Sequence, residues 1–176
     1  MKLEEIQEQL RVYFKDLDEC CTVNNIEYWA DGGTLLGAVR NNNIISHDDD
    51  GDICMYEPEF KKFKNIIEKN YPQYVIYSTD GLLFKLMRKE YPYVWIDIFL
   101  VENHETLVRY KIRKHRAVWP KFYHQKTDVF PLQRVAFGDM MIWIPNNPIP
   151  YLERGYGSNW KTPIVVHTKH TPIHIV

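Results

Sequence analysis

The chain has 176 residues, of which 45% are hydrophobic and 14% aromatic, so it is predicted to form one globular domain, not a disordered or collagen-like chain. Twenty-two Lys and Arg residues against 23 Asp and Glu residues give a net charge of -1, so no overall field favours nucleic acid or an anionic membrane. Three cysteines without a CxxC spacing argue against a disulfide framework or a zinc site.

The first residues and the lengths of the apolar runs indicate where in the cell the protein is expected. Acids at Glu4 and Glu5 stand where a signal peptide would need apolar residues, and no apolar run approaches the length of about 18 residues that a membrane helix needs. We therefore expect no integral membrane segment, no nucleic-acid partner and a cytoplasmic location.

The predicted elements form a single α+β domain over residues 1–176, with a mixed sheet. Apolar residues recur every three or four positions through residues 1–25, which predicts an amphipathic amino-terminal helix. A short strand, Ile26–Ala30, then leads through a glycine turn to a helix that opens at Thr34. The later predicted elements are, in order, a strand Gly51–Tyr56, a helix Glu59–Lys69 started by Pro58, three antiparallel strands within Tyr74–Tyr77, Leu82–Met87 and Tyr93–Val101, a helix plus loop over Glu102–Gln125, a hairpin of Val129–Phe137 and Met140–Ile144 turning at Gly138 and Asp139, and a helix Pro148–Tyr156.

Aspartates are concentrated in the segment His47–Ile53, which contains Asp50 and Asp52. Residues two apart on a strand point to one face, so these two carboxylates are expected side by side, with Cα atoms about 6.5 to 7 Å apart. Asp97 lies in the apolar run Val94–Leu100, where a charge is costly unless it is paired or binds a cation. If the two strands are neighbours, the three carboxylates form an oxygen-only site that favours Mg²⁺ or Mn²⁺ and suits phosphoryl or nucleotidyl transfer.

Two other interpretations of the aspartates are open from the residues alone. A run of aspartates in a turn is often only a solvated loop. The segment also partly matches an EF-hand calcium loop, although it lacks the first acid and the incoming helix, and Pro58 follows it directly. The residues that match are Ser46, Asp48, Asp50, Gly51, Ile53 and Glu57.

The glycine turn is the second candidate site. Gly32 and Gly33 would let backbone amides approach a phosphate closely, and the helix amino terminus at Thr34 would present further N–H groups. Arg40 would add a guanidinium at the far end of this helix. Together they predict a cradle for a di- or triphosphate, although the Walker lysine and the GxGxxG spacing are absent.

Other polar and aromatic residues give weaker indications. The histidines show no zinc-ligand spacing, and His167, His170 and His174 are predicted to be surface residues. The segment Arg109–Tyr123, basic and aromatic, is a candidate part of an acceptor groove on composition alone, with a surface helix as the alternative. Five aromatic residues are candidates to stack on a base, with core packing as the commoner explanation: Tyr28, Trp29, Trp95, Trp143 and Trp160.

Several of these motifs, in the same order and spacing, resemble the signature of the LicD and fukutin-related family. The resemblance runs from about residue 25 through most of the chain and is carried by Gly32–Arg40, Ile45, Asp48–Ile53, Glu59-Phe60, Lys85, Ile96–Phe99, Phe130–Leu132 and Tyr151–Pro163. Two positions depart from it, since Ser46-His47 stands where the family commonly has Pro-Trp, and Gly51 stands where it has an aliphatic residue between the two acids.

The resemblance implies a nucleotidyltransferase-like mixed sheet flanked by helices, in one minimal catalytic domain. It implies transfer of a phospho-alcohol, such as phosphocholine or phosphoribitol, from a CDP-activated donor to a sugar hydroxyl of a glycan, with CMP as leaving group. Asp50 and Asp52 resemble the metal-binding pair, and Asp97 resembles a third acid that ligates metal or acts as the general base. The residues that would lie at the donor phosphates are Gly32, Gly33, Thr34, Arg40 and Lys85.

The residues leave two further functions open. The same carboxylates would serve nucleotidyl transfer, in which an NTP is attacked at its α-phosphate by a sugar phosphate or another acceptor. The domain could instead be a non-catalytic module that binds calcium or a glycan.

Overall fold

The structure is a computed structural model that describes residues 1–78, 81 and 83–163. His167, His170 and His174 lie outside the described residues, as do Asp80 and Leu82 of the predicted turn and strand. The helices are α1 Leu3–Val23, α2 Gly32–Asn41, α3 Glu57–Asn70, α4 Arg113–Val118, α5 Lys126–Val129 and α6 Ile149–Tyr156. The strands are β1 Trp29–Ala30, β2 Gly51–Tyr56, β3 Tyr74–Ser78, β4 Phe84–Arg88, β5 Trp95–His104, β6 Leu107–Tyr110, β7 Tyr123–Gln125, β8 Gln133–Phe137 and β9 Met140–Ile144.

The strands of the described residues form a mixed sheet of seven and a separate hairpin of two. The main path runs β1-β2-β5-β4-β3, and β8 pairs with β9 in the hairpin. β5 is the central strand, since β2 lies parallel to it on one side and both β4 and β6 lie antiparallel on the other. β4 pairs with its first half and β6 with its second, and β7 extends the sheet beyond β6.

The long first helix covers the sheet, as its apolar period predicts. Its buried side chains recur at steps of three and four and include Leu10, Phe14 and Leu17, none of which has exposed surface. Each such side chain contributes about 1.5 to 3 kcal/mol when it leaves water. The helix contacts β5, so the element that carries Asp97 is held from behind by the apolar core.

The parallel pairing of β2 with β5 sets the position of the acids. Its register places Asp52 opposite Asp97 and Gly51 opposite Ile96. The expected adjacency of the two aspartate-bearing strands is therefore present, and β2 has the predicted bounds.

Other predicted elements differ from the structure. β1 contains only Trp29 and Ala30, because the backbone before it is irregular, and α2 begins at Gly32 instead of Thr34. The segment predicted as helix plus loop, Glu102–Gln125, contributes the end of β5 and the strands β6 and β7 besides the short α4. Its basic residues alternate with buried Val108 and Tyr110, a strand pattern too short to stand out by periodicity.

Candidate active site

An open cavity of about 470 Å³ lies where α2, the loop before β2, and β5 meet. A cavity of this size holds a small-molecule ligand. Acidic side chains and the glycine turn contribute to its wall, and aromatic side chains contribute the rest. Its lining residues are Gly33, Leu36, Arg40, Ile45, His47, Asp48, Asp49, Asp50, Asp52, Asp97, Phe99, Trp119, Tyr156, Asn159, Trp160 and Thr162.

Three of the aspartates that the sequence singles out converge in this cavity. Asp50, Asp52 and Asp97 each offer a carboxylate oxygen, and these oxygens lie within 4.8 Å of one another. Asp97 is buried, at 7% exposure, while the other two are partly exposed. Asp50 precedes the first residue of β2 and does not belong to the strand, yet its side chain still reaches Asp52.

A second trio extends the acidic surface. Asp48, Asp49 and Asp50 also bring one oxygen each within 4.8 Å of one another, so Asp50 belongs to both trios. All three are consecutive residues at the end of the loop between α2 and β2.

The neighbouring acids raise the proton affinity of Asp52. Burial raises the pKa of Asp52 well above its usual value, and the charges of Asp50 and Asp97 raise it further. A divalent cation offsets this repulsion, and a set of carboxylate oxygens without nitrogen or sulfur ligands suits Mg²⁺ or Mn²⁺. The residues present therefore fit the metal that the sequence predicts.

Lys85 lies on the acid cluster. Its Nζ donates to Asp97 Oδ1 at 2.6 Å and stands 4.2 Å from the centre of the Trp95 ring. Both partners come from β5, which is antiparallel to the strand of Lys85 and places Lys85 opposite Asp97. Lys85 therefore fixes the orientation of the Asp97 carboxylate. Lys85 does not belong to the described residues that line the cavity.

The glycine turn contacts the aspartates directly. The Gly33 amide donates to Asp52 Oδ2 at 3.0 Å, and the Asp52 amide donates to Thr34 Oγ1 at 2.8 Å. A Cβ on Gly32 would stand 2.7 Å from Asp52 Oδ2, and one on Gly33 would stand 2.7 Å from Asp48 Oδ2. The glycines thus permit a close approach of carboxylates, whereas the sequence predicts a close approach of phosphate. Thr34 is buried and holds β2 in place.

Arg40 stands at the far end of α2, as predicted, and lines the cavity. Its guanidinium donates to the Trp160 carbonyl at 3.2 Å and to Asn41 Oδ1 at 2.8 Å. Arg40 therefore joins α2 to the segment after α6 and keeps the indole of Trp160 at the cavity wall.

The buried carboxylate of Asp31 lies next to the glycine turn, and the sequence analysis assigned it no role. Asp31 is 1% exposed and accepts hydrogen bonds from the hydroxyls of Tyr110 at 2.6 Å and Tyr151 at 2.5 Å. Burial raises its pKa, and the two hydroxyl donors oppose that rise. Its amide also donates to the Asp52 carbonyl at 3.0 Å. An acid at the N-cap position, directly before two glycines, is the local signal that could have found it.

The aromatic wall of the cavity differs from the sequence candidates. Of the five aromatics considered for base stacking, Trp160 lines the cavity among the described residues, joined by Phe99, Trp119 and Tyr156. Trp119 belongs to the basic and aromatic segment that the sequence associates with a binding groove. Burial raises the pKa of Tyr156 above its usual value, and the nearby carboxylates of Asp52 and Asp31 raise it further.

The EF-hand pattern does not form a loop. β2 is extended from Gly51 to Tyr56, which puts Glu57 roughly 20 Å along the strand from Asp50. The Glu57 carboxylate instead pairs with Lys61 at 3.0 Å and with Lys111. The calcium-loop interpretation of this segment is therefore wrong.

Comparison with known proteins identifies a matching family model and several related sequences. The family model described as LicD/FKTN/FKRP, nucleotidyltransferase domain, matches residues 25–147. The chain is 31% identical over 158 residues to Uncharacterized protein RP689 of Rickettsia prowazekii, which covers 89% of this chain and 57% of that protein. It is 26% identical over 145 residues to the lipopolysaccharide cholinephosphotransferase LicD of Haemophilus influenzae, covering 69% of this chain and 55% of that protein. The chain thus spans little more than half the length of these relatives.

A solved structure shares the fold. The lincosamide antibiotic adenylyltransferase LnuA, in its lincomycin-bound crystal structure, superposes with a TM-score of 0.50 over 78% of this chain and 79% of that one. The sequences are 18% identical, so the likeness concerns the fold alone. It confirms the predicted α+β, nucleotidyltransferase-like architecture. Among the described residues, none of the helices combines the length and apolar character needed to cross a bilayer.

Proposed function

Because the chain belongs to the LicD/FKTN/FKRP family of nucleotidyltransferase domains, we propose that it is a metal-dependent transferase that moves a phospho-alcohol from a CDP-activated donor to a sugar hydroxyl. Phosphocholine and phosphoribitol are the candidate groups, the acceptor is a glycan or sugar, and CMP is the product. The likeness to the cholinephosphotransferase of Haemophilus influenzae supports the choice of a phospho-alcohol.

The convergence of Asp50, Asp52 and Asp97 is the observation that carries the proposal. Lys85 pairs with one of these three carboxylates, whose oxygens lie within 4.8 Å of one another, and a divalent cation bound among them would offset their mutual repulsion further. They lie in a cavity large enough for a nucleotide fragment, beside aromatic rings that offer a flat apolar surface. A site that only binds a glycan has no need of this concentration of negative charge.

In the proposed reaction the aspartates hold Mg²⁺ or Mn²⁺, which when bound neutralises the donor pyrophosphate and the charge that develops on it. Asp97 ligates the ion or accepts the proton of the acceptor hydroxyl, and Lys85 keeps its carboxylate oriented toward Asp50 and Asp52. The Gly33 amide orients Asp52, and Arg40, which lines the same cavity, offsets charge on the leaving nucleotide.

Thermal unfolding in the presence of nucleotides tests the donor and metal assignments without knowledge of the acceptor. Wild-type protein is heated with CDP, CMP, CDP-choline, CDP-ribitol, ATP or GDP, each with Mg²⁺, with Ca²⁺ or with EDTA. A ligand at about a hundred times its Kd stabilises by about 2.7 kcal/mol, which raises the Tm of a domain of this size by about 5 to 10 °C. We expect this rise with cytidine nucleotides and Mg²⁺ and none with EDTA.

Substitutions in the aspartate cluster, with a matched control elsewhere, test whether the rise in Tm comes from binding at this cluster. Asp52→Asn and Asp97→Asn should abolish the Mg²⁺-dependent shift and lower CMP release from the CDP-alcohol by at least about a hundredfold, because each removes a charge from the metal site. Asp139→Asn is the control, since Asp139 is 63% exposed on the β8-β9 turn and pairs with Lys15 away from the cavity. A shift with ATP alone would replace the proposal with nucleotidyl transfer. A response to Ca²⁺ without any nucleotide effect would indicate a binding module instead.

A further inference from the structure

The hydroxyl of Tyr151 connects a buried carboxylate to the glycine turn of the proposed metal site. It donates to Asp31 Oδ1 at 2.5 Å and accepts from the Gly32 amide at 3.2 Å. The next amide in the chain, that of Gly33, donates to Asp52 Oδ2 at 3.0 Å. The Tyr151 hydroxyl is therefore linked to the Asp52 carboxylate through the hydrogen bonds of two successive backbone amides, those of Gly32 and Gly33.

Each part of this connection is held on several sides. Asp31 is 1% exposed and receives hydroxyl donors from β6, through Tyr110, and from α6, through Tyr151. The ring of Tyr151 is 2% exposed and stacks on the His124 ring, with centres 4.2 Å apart and an angle of 5° between the planes. The Phe122 ring packs edge-on against it at 5.3 Å. The hydroxyl consequently has little freedom to leave the Gly32 amide.

The turn itself needs such an anchor. Gly32 has a φ of +46°, a region that glycine enters without steric cost but does not prefer over its other conformations. The backbone of Gly32 is thus less constrained than that of any other residue type, and its amide lies between the adjacent Asp31 carboxylate and the Tyr151 hydroxyl. An acceptor on Gly32 selects one arrangement, and in that arrangement the Gly33 amide faces Asp52.

We propose that Tyr151 is a positioning residue that, held by Asp31, fixes the Gly32-Gly33 turn and thereby the Asp52 carboxylate for metal binding. Tyr151 lies in α6, outside residues 25–147 that match the family model and at the start of the segment Tyr151–Pro163 that carries part of the sequence resemblance. The inference rests on the proposed function only in taking Asp52 as a metal ligand.

Three tyrosines whose hydroxyls each donate to a carboxylate provide the test. Tyr110 and Tyr151 donate to the same carboxylate at nearly the same distance, but the Tyr151 hydroxyl also accepts from Gly32. Tyr74 donates to Asp16 at 2.7 Å on the far side of the core and makes the same kind of bond away from the site. Tyr151→Phe, Tyr110→Phe and Tyr74→Phe therefore remove comparable bonds, and only the first frees the turn.

Two readouts are measured well below the Tm of every variant. The first readout is the Mn²⁺ affinity, measured by titration with the metal alone. It should fall by about tenfold or more in Tyr151→Phe, which is the effect expected when a hydrogen-bond partner behind a metal ligand is removed. In Tyr110→Phe and Tyr74→Phe it should fall by less than about threefold. Amide hydrogen exchange of Gly33, followed in metal-free protein, should accelerate by a similar factor in Tyr151→Phe alone. The Ile53 amide in β2 serves as the reference for global opening.

Equal effects of Tyr151→Phe and Tyr110→Phe on both readouts would overturn the inference and leave Tyr151 with a purely structural role. If wild-type protein binds no Mn²⁺, the proposed function fails, and the Gly33 exchange rates alone decide whether the turn is positioned by Tyr151. If Tyr151→Phe does not fold, Asp31→Asn takes its place. It preserves the volume but turns an amide donor toward one of the two hydroxyls, so the same two readouts should move in the same direction.

Discussion

At the scale of single residues, the ionised carboxylate of Asp52 destabilises the metal-free fold. Burial and then the charges of Asp50 and Asp97 raise the pKa of Asp52, and its carboxylate accepts a hydrogen bond from the Gly33 amide. A carboxyl group whose pKa is raised on folding stabilises the protein fully only below its unfolded pKa, and that contribution is lost as the pH rises through the folded pKa. At neutral pH and without metal, Asp52 therefore lowers the free energy of unfolding.

This leads to an opposite response of stability and metal binding to one substitution. Asp52→Asn should raise the Tm in EDTA at pH 7 by about 2 to 4 °C, equivalent to about 1 kcal/mol, because it removes the repulsion and keeps the oxygen that accepts from Gly33. The rise should not occur for Asp139→Asn, whose carboxylate is exposed and paired with Lys15. A Tm that falls in EDTA would show that the Asp52 charge is compensated in the metal-free protein.

At the scale of elements, α1 explains a glycine that departs from the family pattern. A Cβ on Gly51 would stand 2.6 Å from Phe14 Cζ and 3.1 Å from Ile96 Cγ1. The Phe14 ring occupies this space and packs edge-on against Phe137 at 5.3 Å. The glycine at the start of β2 is thus a point of close approach between helix and sheet, which is one of the reasons glycine occurs within strands.

The packing predicts a coupled pair of substitutions. Gly51→Ala should lower the free energy of unfolding by about 1 to 3 kcal/mol, because the added methyl group overlaps the Phe14 ring. Phe14→Leu in the same chain should recover part of that loss, with a coupling of at least about 0.5 kcal/mol in a double-mutant cycle measured by urea unfolding. Strictly additive effects would mean that the strand moves away from the helix instead of pressing on it.

At the scale of the whole molecule, the stability of the fold depends on pH through buried titratable groups, although the net charge is close to zero. His124, on β7, is 4% exposed, and among the described residues neither of its ring nitrogens has a hydrogen-bond partner. Burial, with a smaller contribution from the charge of Arg154, lowers the pKa of His124 to about 3. Since the unfolded chain binds this proton near pH 6.5 and the folded chain does not, His124 destabilises the fold as the pH falls below about 6.5.

Replacement of His124 should therefore flatten the acid side of the stability curve. Between pH 6 and pH 4 the wild-type free energy of unfolding should fall more steeply than that of His124→Phe, by up to about 1.4 kcal/mol per pH unit, the slope for one proton. Phenylalanine keeps the stacking on Tyr151, and other titrating groups, including Asp52, contribute equally to both proteins. Parallel curves from chemical unfolding across this range would show that His124 becomes protonated within the fold.

Local patterns in the sequence account for much of the fold. The period of α1, the bounds of β2 and the paired strands β8 and β9 follow from spacing and turn residues, because these are properties of neighbours in the chain. The association of Asp50, Asp52 and Asp97 was also predictable, since a charge within an apolar strand requires a partner.

The tertiary structure alone decided the rest of the site. Asp31 meets Tyr110 and Tyr151 across 79 and 120 residues of sequence, and Trp119 reaches the cavity from a segment whose strands were not predicted. The Gly33 amide, which the sequence predicts at a donor phosphate, donates to the Asp52 carboxylate, a contact that no local pattern indicates. Such contacts depend on which elements distant in the chain pack together, whereas the period of neighbouring residues indicates only the type of each element.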